Sequence, residues 1–232
     1  MTLTFSPVGV EALDDPAADP HLVERMLNDI ARSNRWLGGT LAAQYGVAAL
    51  LRPEDRGHGL ALLDIGTGAG DIPRALQRWA ARRHGVALDL FGVERITAAG
   101  RLARRGDIRT ILACAGALPL RERSVDIVLV SQVLHHFDHD SAVRLLAEAQ
   151  RIARRGVVVA DLATGPVAQV AFRMAGRALG MHHVTISDGV TSLKRGYSTG
   201  SLSALLANAG VTRGVVCRRP IARVVAWWAV ES

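Results

Sequence analysis

Three closely spaced glycines, with an acidic residue at each end, form the most specific chemical pattern in the sequence. The segment 63–71 reads Leu-Asp-Ile-Gly-Thr-Gly-Ala-Gly-Asp and follows an apolar run. Glycines at positions 66, 68 and 70 allow a sharp backbone turn and close approach of a ligand. In open α/β proteins, ligands bind where such a turn leaves the carboxyl end of a strand. The pattern therefore predicts a ligand-binding turn between a first strand and a first helix.

The glycine spacing differs from that of dinucleotide-binding sites. The dinucleotide pattern G-x-G-x-x-G needs a glycine at position 71, which is Asp71 in this chain. This mismatch disfavours NAD or FAD, and a nicotinamide-dependent reductase stays an alternative function.

The elements around the turn alternate between apolar runs and amphipathic stretches. This alternation predicts a parallel sheet whose crossovers are helices. Asp71 is expected to cap the helix after the turn. The predicted strands are 60–65, a strand ending near Glu94, 110–114, 125–130 and 157–162, followed by an antiparallel pair that ends with 224–230.

Other segments flank this alternating region. Two short helices are predicted from residue 21 onwards, with a break at Gly38 and Gly39. Segment 180–197 has poor periodicity and is predicted to be a long binding loop or lid. We expect an N-terminal helical lid over residues 1–57 and one catalytic or binding domain over residues 58–232.

Composition excludes several classes of protein. The chain has 232 residues, 49% of them hydrophobic, and a formal net charge of +7. One well-filled core is expected. Its apolar runs are too short to cross a bilayer, no signal peptide is visible and there are only two cysteines, so we expect a cytoplasmic protein without a membrane span. The arginines occur in short pairs that suit helix C-termini, which disfavours nucleic acid as a partner.

With Asp64 and the glycine turn, the chain from about Leu60 to its C-terminus resembles class I S-adenosylmethionine-dependent methyltransferases. In that family an acid ending the second strand binds both ribose hydroxyls, and Glu94 matches it; a carboxylate can accept both bonds. The family's third motif has an acid where this chain has Cys114. The resemblance implies an α/β fold: a Rossmann-like, seven-stranded, mostly parallel sheet with a C-terminal antiparallel strand pair and an N-terminal helical lid.

The same resemblance implies the cofactor and its contacts. S-adenosyl-L-methionine is the expected cofactor and S-adenosyl-L-homocysteine the product. The implied cofactor-binding residues are Asp64, Gly66, Thr67, Gly68, Gly70, Asp71, Glu94, Arg95, Cys114, Ala115, Ser131 and Gln132.

The segment after the fourth strand carries the candidate catalytic residues. Its Leu-His-His sequence is similar to the ubiquinone/menaquinone methyltransferase-like branch. His135 takes the place of the general base of small-molecule O-methyltransferases, with His136 in reserve; a histidine at the start of a helix is the alternative interpretation. We expect no metal site, because adjacent side chains point in different directions.

A further likeness concerns the acceptor. The Asn34-Arg35-Trp36 segment, and in part 188–199, resemble bacterial relatives encoded beside type III polyketide synthases. We expect methyl transfer to a small aromatic or polyketide-like acceptor, with O-methylation of a phenol favoured, by a monomer or homodimer. Alternatives are C-methylation of a quinol, RNA methylation and a catalytically silent binding module. The candidate acceptor-binding residues are Asn34, Arg35, Trp36, Phe137, His182, His183 and Tyr197.

Overall fold

Seven strands form one sheet in the computed structural model, which describes residues 3–15 and 17–230. The order is β3-β2-β1-β4-β5-β7-β6; β1 to β5 are parallel, and β7 runs antiparallel to both neighbours. The predicted fold class is confirmed. The strands are β1 (Gly59–Ile65), β2 (Ala87–Glu94), β3 (Arg109–Leu112), β4 (Val125–Ser131), β5 (Ala153–Leu162), β6 (Val215–Arg219) and β7 (Arg223–Ala229).

Helices cover both faces of the sheet because the central strands are apolar on both sides. Leu62 packs with α2, α3 and α4, whereas its neighbour Leu63 packs with α5 and α8 on the other face. The helices are α1 (Pro20–Trp36), α2 (Gly39–Ala48), α3 (Asp71–His84), α4 (Thr97–Arg105), α5 (His139–Ile152), α6 (Pro166–Ala178), α7 (His183–Arg195) and α8 (Thr199–Asn208).

The strand order reverses between β1 and β4. The chain moves outwards from β1 to β3 and then returns to place β4 on the other side of β1. At such a switch point the connections diverge and leave a crevice at the carboxyl ends of the strands. The glycine turn, which follows β1, therefore opens into this crevice.

Segment 180–197 is mostly helical, so its prediction as a loop is wrong. Helix α7 buries Thr185, Val190, Ser192, Leu193 and Arg195. Three of these five inward positions are polar or charged, which hid the helical period of the apolar residues. The capping residue is His182, whose Nδ1 accepts a bond of 3.4 Å from the Val184 amide.

Smaller differences occur at two other element ends. Gly70 is the N-cap of α3 in the left-handed conformation, and Asp71, predicted to be the cap, is the first helical residue. Strand β3 ends at Leu112 rather than at position 114. None of the helices in the described ranges is long and apolar enough to span a membrane. The predicted boundary at residue 57 stays a prediction, and the outer ends of both predicted segments lie outside the described residues.

Helix α2 lies close to the sheet at Gly46. A Cβ there would collide with Val158 of β5 and lie 3.1 Å from Val225 Cγ1 of β7. Overpacking of this kind costs about 1–3 kcal/mol. We expect Gly46→Ala to lower the free energy of unfolding in urea by about that amount. The control is Gly200→Ala in α8, where the added Cβ has only Ser198 Oγ at 3.9 Å; it should be neutral or stabilising. Equal effects of the two changes would contradict the close approach.

Candidate active site

A cavity of about 360 Å³ lies at the carboxyl ends of β1, β2 and β4. Parts of α1, α7 and the N-terminal segment 3–14 cover it. Fifteen of the predicted site residues line this one cavity: Asn34, Asp64, Gly66, Thr67, Gly68, Asp71, Glu94, Arg95, Cys114, Ala115, Ser131, Gln132, His135, His136 and Phe137.

Three glycines give the turn after β1 its shape. Gly66, Gly68 and Gly70 have φ of +72°, +55° and +76°, in the left-handed region that favours glycine. A Cβ at Gly66 would collide with Val133, and one at Gly70 with Ile108. The Gly68 amide donates to Glu94 Oε2 at 2.9 Å, and the amides of Arg95 and Ile96 donate to Oε1 at 2.7 and 2.9 Å. The turn is therefore fixed against the end of β2.

Three carboxylates converge beside this turn. Burial raises the pKa of Asp64 well above its usual range, and the nearby charges of Asp71 and Glu94 add to that effect. Burial also raises the pKa of Asp71. Asp64 Oδ1 is buried and has no hydrogen-bond partner among residues 3–15 and 17–230. The local charge would stabilise a cationic ligand and repel a pyrophosphate.

A chain of side-chain hydrogen bonds joins α1 to the strand ends. Asn34 Nδ2 donates to Asp71 Oδ2 at 3.0 Å, and Asn34 Oδ1 accepts from Gln132 Nε2 at 2.6 Å. Gln132 Oε1 in turn accepts from the buried Arg223 at 2.8 Å. Burial lowers the pKa of Arg223 to about 10. The chain holds α1 over the glycine turn.

His135 lies at the other end of the cavity, bound to an aspartate that sequence reasoning missed. Its Nδ1 is 2.6 Å from Asp161 Oδ1, and both residues are buried. Contact with the His135 ring and with the Leu162 amide lowers the pKa of Asp161 despite its burial. His135 Nε2 has no partner in the part of the chain that the structure describes. An aspartate that accepts from Nδ1 leaves the lone pair on Nε2, which can then act as a base or a ligand.

The two adjacent histidines lie side by side, contrary to the expectation that they point apart. Leu134–His136 form a 3-10 turn, and the imidazole centroids are 4.4 Å apart. His136 Nδ1 is 2.9 Å from Asp14 Oδ1, and its Nε2 is 3.9 Å from Glu11 Oε2. Arg195 binds the same segment through Glu11 Oε1 at 3.0 Å and Asp14 Oδ2 at 3.2 Å.

The other predicted site residues lie away from the cavity surface. Trp36 is 61% exposed, and the Arg35 guanidinium packs over its ring at 5.3 Å. His183 is exposed beside the capping His182. The Tyr197 hydroxyl donates to the Leu134 carbonyl at 3.1 Å, so it supports the turn that carries the histidines. Gly70 belongs to the glycine turn but is not among the described residues that line the cavity.

Four residues of this region were not predicted. Asp161 could have been found, because it is a lone acid at the end of the apolar run of β5. Glu11 and Asp14 carry no local signal, because their contacts with His136 and Arg195 join segments more than 120 residues apart. Arg195 lies in segment 188–199, for which the sequence showed a resemblance, but it was not chosen as a site residue.

Comparison with known proteins identifies the central part of the chain. Residues 63–160 match the family model described as a methyltransferase domain. The protein is thus an enzyme, and its cofactor is S-adenosylmethionine. Among curated proteins, none matches the sequence significantly.

Solved structures show the same fold. An S-adenosylmethionine-dependent methyltransferase of Thermotoga maritima, named as a possible histamine N-methyltransferase, is 21% identical (TM-score 0.59, 91% of this chain, 99% of that chain). One from Aquifex aeolicus is 16% identical (TM-score 0.57, 92% and 99%). The magnesium protoporphyrin IX methyltransferase of Synechocystis PCC 6803, with bound S-adenosylmethionine, is 12% identical (TM-score 0.59, 98% and 100%). These similarities extend across the N-terminal helices as well as the sheet.

The residues at the end of the cavity beside the glycine turn fit the cofactor. The buried, unpartnered Asp64 Oδ1 and the surrounding carboxylates suit a ligand that carries an ammonium and a sulfonium group. The left-handed turn at Gly66 and Gly68 lets the ligand lie close to the backbone. Glu94 lines the cavity at the end of β2; its Oε1 already accepts two amide bonds, whereas Oε2 accepts one and keeps an acceptor site for a ribose hydroxyl.

Burial of Asp64 gives a prediction about the ligand-free enzyme. Because its folded-state pKa is raised, the folded state binds the proton more tightly than the unfolded state, and stability falls as the pH rises from about 4 towards the folded pKa. We expect Asp64→Asn to raise the free energy of unfolding at pH 7 by more than about 1 kcal/mol. The difference from the parent should shrink as the pH is lowered to 4. Urea unfolding at pH 4, 5.5 and 7 measures this, and a variant less stable than the parent at pH 7 would refute it.

Proposed function

We propose that the protein transfers the methyl group of S-adenosylmethionine to a phenolic hydroxyl of a small, apolar, aromatic or polyketide-like acceptor. The observation that carries this proposal is the buried, unpartnered Nε2 of His135. It lies in the same cavity as the glycine turn, and Asp161 holds the other ring nitrogen.

The donor would occupy the acidic end of the cavity. Glu94 would accept bonds from the ribose hydroxyls, as the family resemblance implies, and Asp64 and Asp71 would face the cationic part of the molecule. Ser131 Oγ is buried and unpartnered within the described ranges, and it lies at the end of β4 between the two ends of the cavity. The donor would thus lie in the same cavity as Ser131 and His135.

The acceptor would occupy the end of the cavity that holds His135 and His136, where apolar side chains lie beside the acidic groups of the N-terminal segment. Side chains from the N-terminal segment, α6 and α7 supply its walls, including Phe5, Phe137, Phe172, Met181 and Leu193. A pocket of this kind excludes water and holds an aromatic ring. Phe5 and Phe137 stack with centroids 5.7 Å apart, and the backbones of the two residues also pair. The N-terminal segment and α1 would therefore act as the lid over both ligands.

The reaction is a displacement at a sulfonium methyl. The acceptor oxygen forms a bond to the methyl carbon, the carbon–sulfur bond breaks and its electron pair stays on sulfur. The hydroxyl proton passes to His135 Nε2, and Asp161 stabilises the resulting imidazolium. Alignment of an already reactive donor supplies most of the rate enhancement, and the base adds about 10²–10⁴-fold.

The charge of the cavity argues against two of the alternatives. Among the described residues that line the cavity, two carry a guanidinium group, Arg95 and Arg223. Six carry a carboxyl group: Glu11, Asp14, Asp64, Asp71, Glu94 and Asp188. Phosphates of RNA or of a nicotinamide dinucleotide would meet predominantly negative charge. C-methylation of a quinol would use the same cavity, and locating the new methyl group in the product distinguishes it from O-methylation.

The contribution of Glu94 to donor binding can be measured. Glu94→Gln keeps the shape of the side chain but removes the charge that strengthens hydrogen bonds from the ribose. We expect S-adenosylhomocysteine to bind about 10- to 100-fold more weakly, from the 1.5–3 kcal/mol of a hydrogen bond to a charged group. Calorimetric titration measures the affinity. Asp89→Asn, an exposed acid on the same strand, is the matched control and should bind like the parent. Unchanged affinity of Glu94→Gln would remove this residue from the donor site.

The roles of His135 and Asp161 can be separated by a double-mutant cycle. His135→Ala should lower kcat about 10²–10⁴-fold with donor affinity nearly intact. Asp161→Asn should also lower kcat, because Nδ1 loses its anionic partner. The double variant should be no slower than His135→Ala alone, because Asp161 acts through the histidine. The assay is methyl transfer to a panel of phenols, quinols and alkylated resorcinols, with circular dichroism to check folding. Additive losses would assign Asp161 a purely structural role.

A further inference from the structure

We propose that His135, His136 and Glu11 bind a divalent first-row transition-metal ion at the acceptor end of the cavity. One ligand atom from each residue lies within 4.8 Å of the other two. Three ligands around a tetrahedral ion with bonds of about 2.1 Å are roughly 3.4 Å apart. Side-chain movements of about 1 Å would therefore close the three atoms onto one ion.

The hydrogen bonds around the two imidazoles match those of metal-binding histidines. Each Nδ1 lies against a carboxylate: Asp161 at 2.6 Å from His135 and Asp14 at 2.9 Å from His136. Histidine ligands commonly donate their second N–H to a carboxylate, which fixes the tautomer and leaves the other nitrogen for the ion. His136 Nδ1 also lies 3.4 Å from Arg195 Nη1, but the contact with Asp14 is the shorter one; with the proton on Nδ1 facing Asp14, both histidines present Nε2.

Two independent observations point to a missing ligand. His135 is 3% exposed, and its Nε2 has no partner among the residues that the structure describes. A buried polar atom without a partner is costly and needs an explanation. Glu11 uses Oε1 for Arg195 and Ser192, while Oε2 faces His136 Nε2 at 3.9 Å. The oxygen facing the histidine is thus the one available to an ion.

The charge of the cluster is also suited to a cation. Glu11, Asp14 and Asp161 bring three carboxylates, and Arg195 brings the one guanidinium that contacts them in the described structure. With both histidines neutral and the acids ionised, these four charged groups sum to −2, and the charge of Arg223 also acts on Asp161. A divalent ion would offset this excess of negative charge.

The ligand set determines the kind of ion and what it would do. Two imidazoles and one carboxylate suit zinc, iron or cobalt, whereas magnesium and calcium prefer oxygen ligands. Three protein ligands leave at least one position open towards the cavity. Given the proposed function, the acceptor hydroxyl would bind there as its anion, since an ion lowers the pKa of a bound hydroxyl. Its proton would pass to water, and the ion would keep its oxidation state.

Metal binding also changes the role of His135. Its Nε2 has one lone pair, which either accepts the hydroxyl proton or binds the ion. The general-base route described above therefore belongs to the metal-free enzyme.

The test is zinc binding to the full chain, measured without donor or acceptor. Protein stripped with a chelator and dialysed is titrated with Zn²⁺ by calorimetry, and Co²⁺ substitution gives the absorption spectrum of the site. We expect one ion per chain. Glu11→Gln and His136→Ala should weaken binding at least 10-fold, and Asp14→Asn, which leaves all three ligands in place, about 10- to 100-fold. His139→Ala, an exposed histidine three residues away from His136, should bind like the parent.

Thermal unfolding checks that each variant is folded, and Asp14→Asn provides a second variant if Glu11→Gln unfolds. If the parent protein binds no stoichiometric zinc, the proposed metal site is wrong. It is also wrong if all the variants bind zinc as tightly as the parent. Because the titration contains no acceptor, its outcome is separate from that of the proposed function. A chain that methylates phenols without binding zinc would keep the general base and lose the metal site. A chain that binds zinc but methylates no phenol would keep the metal site and lose the proposed function.

Discussion

The burial of carboxyl groups beside the glycine turn is the constraint on which the site depends. Parallel strands β1 and β2 end side by side, and the turn after β1 bends back against Glu94. Asp64 and Asp71 are thereby enclosed with pKa values raised by burial, and the charge of Arg74 only partly offsets that effect at Asp71. Burying charge in this way costs folding energy unless a ligand supplies the opposite charge. The site is therefore prepared for a cationic donor, and α1 is held over it through the amide of Asn34.

The two ends of the cavity are built in different ways. The donor end comes from consecutive residues of one strand–turn–helix unit together with the end of the neighbouring strand. The acceptor end is assembled from distant segments, because Arg195 of α7 binds Glu11 and Asp14, more than 180 residues earlier in the chain. The same contacts place the N-terminal segment over His136. A change of acceptor could thus be accommodated in these segments while the donor end keeps its structure.

This difference explains what could be predicted from the sequence. The strands, the glycine turn and Glu94 follow from apolar runs and local spacing, and the structure contains them close to the expected positions. Helix α7 was missed because Thr185 and Ser192 face inwards, where they bind Asp29 and Glu11. Those partners are on other elements, so the polar residues gave no local signal of burial. The close approach of His135 and His136 was also missed, because it depends on a 3-10 turn rather than on a strand or a regular helix.

Asp161 links the His135 side chain to strand β5 of the sheet. It is fully buried near the end of β5, where its carboxylate binds the ring and the backbone amide of His135 and the amide of Leu162. A buried anion with these partners holds the imidazole in one orientation and favours the tautomer with the proton on Nδ1. That tautomer is required whether Nε2 accepts a proton or binds an ion. A reader of the sequence alone sees one acid at the end of an apolar strand; in the folded chain, the same acid determines what the histidine can do.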